Sequence, residues 1–193
     1  MENRRVGIAP FRTHFRVTLV SAALTLVMAV PMWLPAQART CEDAAPTLTA
    51  IARRFAEASD GANVTVLADY TYPALIEMMG GRAAFMEASA TALSELKNAG
   101  LTLESSTFGA ISKTYVDGRR RICFLPQQLV FALRGQRLKS IGFLIAVHDP
   151  QAAAPWTFLD SNGLRNNPAL LWEFFPGLPK NVQLPPVRRE RLP

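Results

Sequence analysis

Apolar residues recur every three or four positions through the first half of the chain that follows residue 40. In the first such run, the apolar face consists of Leu48, Ile51, Phe55 and Ala58. This spacing predicts an amphipathic helix, for which Asp60-Gly61 is a typical end. A second, shorter helix is predicted to begin near Val64. After Pro73, which suits a first helical turn, a short helical piece over 74–79 and a third long helix over 82–98 are predicted.

The second half of the chain alternates between apolar and polar positions, which is the pattern of β-strands. Four segments carry it: residues 103–116, 119–133, 137–148 and 156–160. Asp117-Gly118, between the first two segments, is a strong hairpin signal. The third segment is apolar on both of its alternating faces. We therefore expect it to lie at the centre of an antiparallel sheet.

The C-terminal residues combine prolines with basic side chains. A last helix is predicted to begin at Pro168 and to run through Phe175. The prolines that follow are Pro176, Pro179, Pro185 and Pro186. Residues 177–193 are therefore predicted to form a Pro-rich, basic and mostly irregular tail, whose arginines are solvated. Contact of these arginines with an anionic membrane surface is the alternative.

The first 38 residues have the pattern of a secretory signal peptide. Four arginines, at positions 4, 5, 12 and 16, precede an apolar run over 17–34, and Ala36-Gln37-Ala38 follows it. A basic start, an apolar middle and a small-x-small end are typical of a cleaved signal. A membrane anchor is the alternative, because the run is just long enough to span a bilayer. We expect cleavage, export to the periplasm or secretion, and no membrane span afterwards.

The remaining chain is long enough for one domain with its own core, which we expect over residues 39–176. Residues 39–193 carry 17 Lys and Arg against 14 Asp and Glu, a net charge of +3 that gives no indication of nucleic-acid binding. Cys41 and Cys123 are the two cysteines of the chain. In an oxidising compartment they are expected to form a disulfide. The alternative is a buried thiol at Cys123 and an unattached Cys41.

Helices followed by an antiparallel meander indicate the α+β class. Within it, Tyr70-Thr71-Tyr72-Pro73, then Gly80-Gly81, and the Trp156-x-Phe158-x-Asp160 pattern resemble small exported bacterial proteins of the nuclear transport factor 2-like superfamily, which has the cystatin-like fold. The resemblance covers about residues 44–176. It implies N-terminal helices packed on a curved four-stranded antiparallel sheet that forms a cone. The superfamily includes ketosteroid isomerase, scytalone dehydratase and binding modules, so the fold does not decide the function.

Candidate chemistry is confined to a few polar and aromatic residues. No histidine or cysteine pair has metal-ligand spacing, and no nucleophile elbow or phosphate-binding glycine loop occurs, so no metal or cofactor is expected. The superfamily's enzymes use a carboxylate or histidine as base and tyrosines as oxyanion donors. This analogy makes His148 or Asp69 the candidate base and Tyr70 or Tyr72 the candidate donor. The side chains expected to line a ligand pocket are Tyr70, Tyr72, Phe143 and Trp156.

Each of these residues also has a purely structural interpretation. The aromatic side chains fit the core, and His148 and Asp69 fit local turns or caps. Asp160 alternates with Trp156 and Phe158 and directly precedes Ser161-Asn162-Gly163. Since Asp side chains often accept hydrogen bonds from backbone N–H groups two residues on, we expect Asp160 to cap this turn.

Two functions from different classes follow. The first is an exported domain that binds a small apolar ligand or a protein partner. The alternative is a cofactor-free enzyme of the isomerase or dehydratase kind, which requires His148 or Asp69 to point into a pocket beside a tyrosine hydroxyl. A homodimer through the sheet is a third hypothesis, because sheets of this superfamily often pair face to face.

Overall fold

The structure, a computed structural model, describes residues 40–152, 154–164 and 167–193. The predicted signal peptide, residues 1–38, lies outside the described residues. Across those that are described, none of the helices combines the length and hydrophobicity that crossing a bilayer requires.

Four helices precede the sheet, as the periodicity predicts. They are α1 (Ala45–Asp60), α2 (Val64–Tyr70), α3 (Pro73–Met78) and α4 (Arg82–Asn98). Their boundaries follow from local chemistry. The Asn63 side chain accepts a hydrogen bond from the Val66 N–H at 3.2 Å and begins α2. Pro73 begins α3, where its missing N–H costs nothing, and Gly81 precedes α4 with a φ of 92° that favours glycine.

The strands form one antiparallel sheet of six strands, two more than predicted. They are β1 (Leu101–Phe108), β2 (Tyr115–Asp117), β3 (Arg120–Leu133), β4 (Gln136–His148), β5 (Thr157–Asp160) and β6 (Arg188–Leu192). The order is β1-β3-β4-β5, with β2 also pairing with β3 and β6 also pairing with β4. The α+β class and the antiparallel sheet are therefore confirmed.

The first additional strand arises because the predicted strand over 103–116 is interrupted. Pairing of β1 with β3 ends at Phe108, and β2 resumes it at Tyr115. The interruption lies beside Pro126, which has no N–H to give to a ladder. At this point Gly109 approaches closely, since a Cβ on Gly109 would lie 3.2 Å from the Cβ of Pro126. The residues between the two strands pass this site as a loop.

The second additional strand, β6, corrects the prediction of an irregular tail. Residues Arg188–Leu192 pair antiparallel with β4, from Arg137 opposite Leu192 to Ile141 opposite Arg188. β5 pairs only with the later part of β4, between Leu144 and Val147. The earlier part of that edge is therefore open, and the end of the chain returns to pair with it. The composition of the tail alone does not predict that it pairs with β4.

β4 is a central strand, as its two apolar faces predict, and it separates two cores. On one face, Leu144 and Ala146 pack with Leu48 of α1. On the other face, Phe143 and Ile145 pack with Leu171 and neighbouring residues of the C-terminal segment. That segment includes α5 (Ser161–Leu164) and α6 (Leu170–Phe174). The outer face at Phe143 and Ile145, which a homodimer through the sheet would use, is thus covered by the chain's own residues.

The cysteines form the expected disulfide, which fixes the start of α1 to the sheet. Cys41 and Cys123 are bonded with their Cα atoms 6.3 Å apart, and both side chains are fully buried. The Cys41 N–H also donates to the Thr114 hydroxyl at 2.7 Å. A disulfide of this kind is consistent with an oxidising compartment outside the cytoplasm.

Candidate ligand-binding cavity

A cavity of about 740 Å³ lies between the helices and the sheet. Its helical wall comes from the C-terminal ends of α1 and α4, and its floor comes from β1, β3 and β4. Most of the lining is apolar, with large contributions from Phe55, Leu93, Leu103, Leu129, Phe131 and Leu138. The volume lies within the range of roughly 300–1,000 Å³ that small-molecule sites in proteins have.

The cavity exists because α4 packs closely on its surroundings only near its beginning. Phe85 is the buried residue of α4, whereas Leu93 is half-buried and Leu96 is 47% exposed. Alternation along β3 meanwhile directs Leu129 and Phe131 to the same side of the sheet. The C-terminal half of α4 and the sheet therefore present apolar side chains across a space that the chain itself does not fill.

One end of the cavity is polar. Gln127 and Ser140 both line it and are only 7% and 8% exposed. Neither side chain hydrogen-bonds to another described residue, so both keep donors and acceptors for a bound molecule. Gly142 lies opposite Gln127 across β3 and β4. Because Gly142 has no side chain, Ser161 can approach it and accept a hydrogen bond from the Phe143 N–H at 2.9 Å.

Asp160 lies at this polar end and has the capping role expected from the sequence. Its Oδ1 accepts hydrogen bonds from the Asn162 N–H at 2.8 Å and from the Asn162 Nδ2 at 2.9 Å. Asp160 and Asn162 both line the cavity. The carboxylate therefore stabilises the turn from β5 into α5 at the cavity wall.

Replacement of Asp160 by Ala is expected to lower the free energy of unfolding by about 1 kcal/mol, as for the loss of a helix cap. The physical reason is that the Asn162 N–H loses its acceptor. Urea titration followed by far-UV circular dichroism measures the change. Asp160→Asn is the matched control, because its side-chain oxygen keeps the acceptor and most of the stability. Equal stability of Asp160→Ala and the parent protein would contradict this assignment.

His148, one of the two candidate bases, does not line the cavity. Its ring contacts the Trp156 ring, with the centroids 5.0 Å apart. The side chain is buried, and Nδ1 has no hydrogen-bond partner among the described residues. Burial lowers the pKa of the His148 imidazole below its ordinary value, and the Arg121 guanidinium lowers it further. His148 is therefore a core histidine at the end of β4.

Asp69, the other candidate base, lies on the surface. It forms an ion pair with Arg82 at 2.6 Å, with about half of each side chain exposed. Both residues line a separate, more open groove of about 440 Å³, together with Pro73 and Ile76. Asp69 and His148 thus lie in different places, and neither reaches the 740 Å³ cavity.

The two candidate tyrosines also lie apart from the cavity. Tyr72 is buried, and its hydroxyl accepts a hydrogen bond from Arg120. Burial raises the pKa of the Tyr72 hydroxyl above its ordinary value, and the positive charge of Arg120 opposes this rise. Tyr70 is half-buried beside the core on the other side of the sheet. The structure does not bring the two hydroxyls together.

The four side chains expected to line a pocket are core residues, divided between two clusters. Tyr72 and Phe143 belong to the cluster under α6, whereas Trp156 and the half-buried Tyr70 belong to the cluster under α1. The cavity residues that the sequence analysis missed are Gln127, Ser140 and Arg189. One signal for them was present, because Gln127 is a polar residue on the apolar alternating face of β3.

Within the described part of the chain, no group of three or more His, Cys, Asp and Glu side chains is placed to hold a metal ion. No protein-family model, curated protein or solved structure matches this chain.

Proposed function

We propose that this chain is an exported binding protein that holds a small, largely apolar ligand in the 740 Å³ cavity. The observation that carries the proposal is the cavity itself, in which two half-buried or exposed leucines of α4 face Leu129 and Phe131 of β3 across unfilled space. When a ligand covers unpacked apolar surface, the free energy of binding becomes more favourable by about 25 cal/mol for each Å² removed from water. The disulfide is in keeping with export.

The resemblance to the nuclear transport factor 2-like superfamily is part of this proposal. N-terminal helices, an antiparallel sheet and a cavity between them support it, because the resemblance implies helices packed on a sheet that encloses a space. Two features differ from that expectation: β6 extends the sheet, and the C-terminal segment covers the outer face. A cone that opens on the helical side is compatible with both.

Binding is favoured over the enzyme alternative by the positions of the candidate residues. The isomerase- or dehydratase-like hypothesis requires His148 or Asp69 to enter the pocket beside a tyrosine hydroxyl. Neither residue lines the cavity, and neither Tyr70 nor Tyr72 does. At its polar end, Gln127 and Ser140 supply hydrogen bonds, and the Asp160 carboxylate is held by Asn162 in the turn after β5.

The proposal predicts that filling the cavity abolishes binding. Leu129→Trp places a larger ring in the unfilled space, and we expect it to weaken binding of the neutral fluorescent probe N-phenyl-1-naphthylamine by at least about tenfold, or ~1.4 kcal/mol. Fluorescence titration measures the dissociation constant. The melting temperature should stay close to that of the parent protein, because the ring enters space rather than packed core.

Val116→Trp is the matched control for this experiment. Val116 lies on β2 and is 61% exposed, so the same substitution there adds a ring to the surface away from the cavity. It should leave probe binding unchanged. Unaltered binding by Leu129→Trp, or no binding by the parent protein, would overturn the proposed function.

A further inference from the structure

β6 adds positive charge at the polar end of the cavity. Arg189 lies opposite Ser140 in the pairing of β4 with β6, and it lines the cavity. Arg191 lies opposite Leu138, another lining residue, so alternation places both arginines on the inner face of the sheet. Neither arginine has a carboxylate partner among the described residues.

On the outer face of β6, positive charge is paired with negative charge. Arg188 pairs with Glu190 at 2.6 Å, so the charge of that face is balanced within the strand. Two carboxylates, those of Asp60 and Asp160, also line the cavity, and Asp160 accepts two hydrogen bonds from Asn162. Neither forms an ion pair with Arg189, so the Arg189 charge is available at the cavity end that holds Ser140.

The buried polar side chains beside these arginines also have hydrogen-bonding groups without a partner in the described part of the chain. Gln127 and Ser140 are more than nine-tenths buried, and neither forms a side-chain hydrogen bond to a described residue. Their polar atoms remain accessible from the cavity, so a bound oxygen-rich group can form hydrogen bonds with them. An arginine guanidinium, a serine hydroxyl and a glutamine amide can together donate several hydrogen bonds to an oxygen-rich anion. A purely apolar ligand would use none of these donors.

We infer that the ligand is a single-chain amphiphile with an anionic head group, carboxylate or phosphate, which Arg189, Ser140 and Gln127 bind at the polar end of the cavity. Its apolar chain lies along Leu129, Phe131 and Leu138 towards the turn between β3 and β4. The inference rests on the proposed binding function and adds to it the chemical class of the ligand.

The test compares four probes of equal chain length: laurate, lauryl phosphate, lauryl alcohol and laurylamine. Each competes with N-phenyl-1-naphthylamine for binding to the full-length protein. We expect at least one of the two anions to bind about tenfold more tightly than the alcohol and the amine. The better of the two anions identifies the head group as a carboxylate or a phosphate.

Variants then assign the preference to β6. Arg189→Met should weaken binding of the preferred anion by about tenfold and leave lauryl alcohol unchanged within about twofold. The double variant Arg189→Met, Arg191→Met tests whether Arg191 binds the head group when Arg189 is absent. Arg188→Met is the matched control, because it removes a cation from the outer face of the same strand, and it should change neither affinity.

The outcomes separate this inference from the proposed function. If the alcohol or the amine binds as tightly as the anions, or if the double arginine variant keeps the preference for the anion, the head-group inference is wrong and apolar binding stands. If none of the four probes displaces the fluorescent probe and the probe itself does not bind, the proposed function is wrong as well.

Discussion

Removal of the Cys41–Cys123 disulfide is expected to lower the free energy of unfolding by about 4 kcal/mol. The bond joins residues 82 positions apart, so it restricts a large part of the unfolded chain. Loop-closure entropy for a loop of this length gives a value of about this size. In the native state the bond also holds Cys41 against the sheet, where it packs with Leu48 of α1 and Leu125 of β3. α1 would keep its other contacts.

The measurement is urea unfolding of the Cys41→Ala, Cys123→Ala double variant beside the parent protein. Alanine avoids placing a hydroxyl in a site that is fully buried. Reduction of the parent protein with dithiothreitol should shift its unfolding midpoint to a similar extent, and the same treatment should have no effect on the double variant. A loss of stability below about 1 kcal/mol would show that the loop constraint contributes little.

The second large effect is expected at the ion pair of Arg120 with Asp117. Arg120 donates hydrogen bonds to the Asp117 carboxylate and to the Tyr72 hydroxyl. Asp117 also accepts from the Gly177 N–H at 2.8 Å, and its side chain is only 7% exposed. This network joins the β2–β3 hairpin, the start of α3 and the segment after α6. Asp117→Ala should cost about 3 kcal/mol, because it leaves the Arg120 charge partly buried without its carboxylate.

A double-mutant cycle measures this coupling. Asp117→Ala, Arg120→Met and the combined variant are unfolded in urea, and the combined loss should be smaller than the sum of the single losses. The exposed pair of Asp69 with Arg82 is the control, for which the same cycle should give less than about 1 kcal/mol. Additive single losses at Asp117 and Arg120 would contradict the assigned role.

The elements whose periodicity is local could be predicted from the sequence. The four helices, the hairpin at Asp117-Gly118 and the central position of β4 follow from apolar spacing and turn residues within each segment. β6 could not be predicted, because its five residues form a strand only where β5 leaves the edge of β4 open. The loop beside Pro126 depends on a contact with Gly109, which lies in a different segment.

The candidate site was harder to predict, because a side chain lines the cavity only if it lies on the inner face of the sheet. The capping role of Asp160 follows from the next two residues and is confirmed. Phe143 and Trp156 were expected to share a pocket, but residues 143 and 146 of β4 face opposite sides of the sheet, and Trp156 packs on the Ala146 side. The cavity exists because the C-terminal end of α4 is not packed against β3. The sequence of α4 alone does not predict this separation.

The central claim is that an amphiphile occupies the cavity beneath α1 and α4. A nitroxide-labelled lauric acid, added to protein with isotopically labelled leucine, isoleucine and methionine methyl groups, tests it by paramagnetic broadening of the methyl NMR signals. The account predicts broadening at Leu93, Leu103 and Leu129, which line the cavity, and none at Ile76 or Met78 of α3. Broadening at Ile76 and Met78 instead, or at no methyl group, would contradict it.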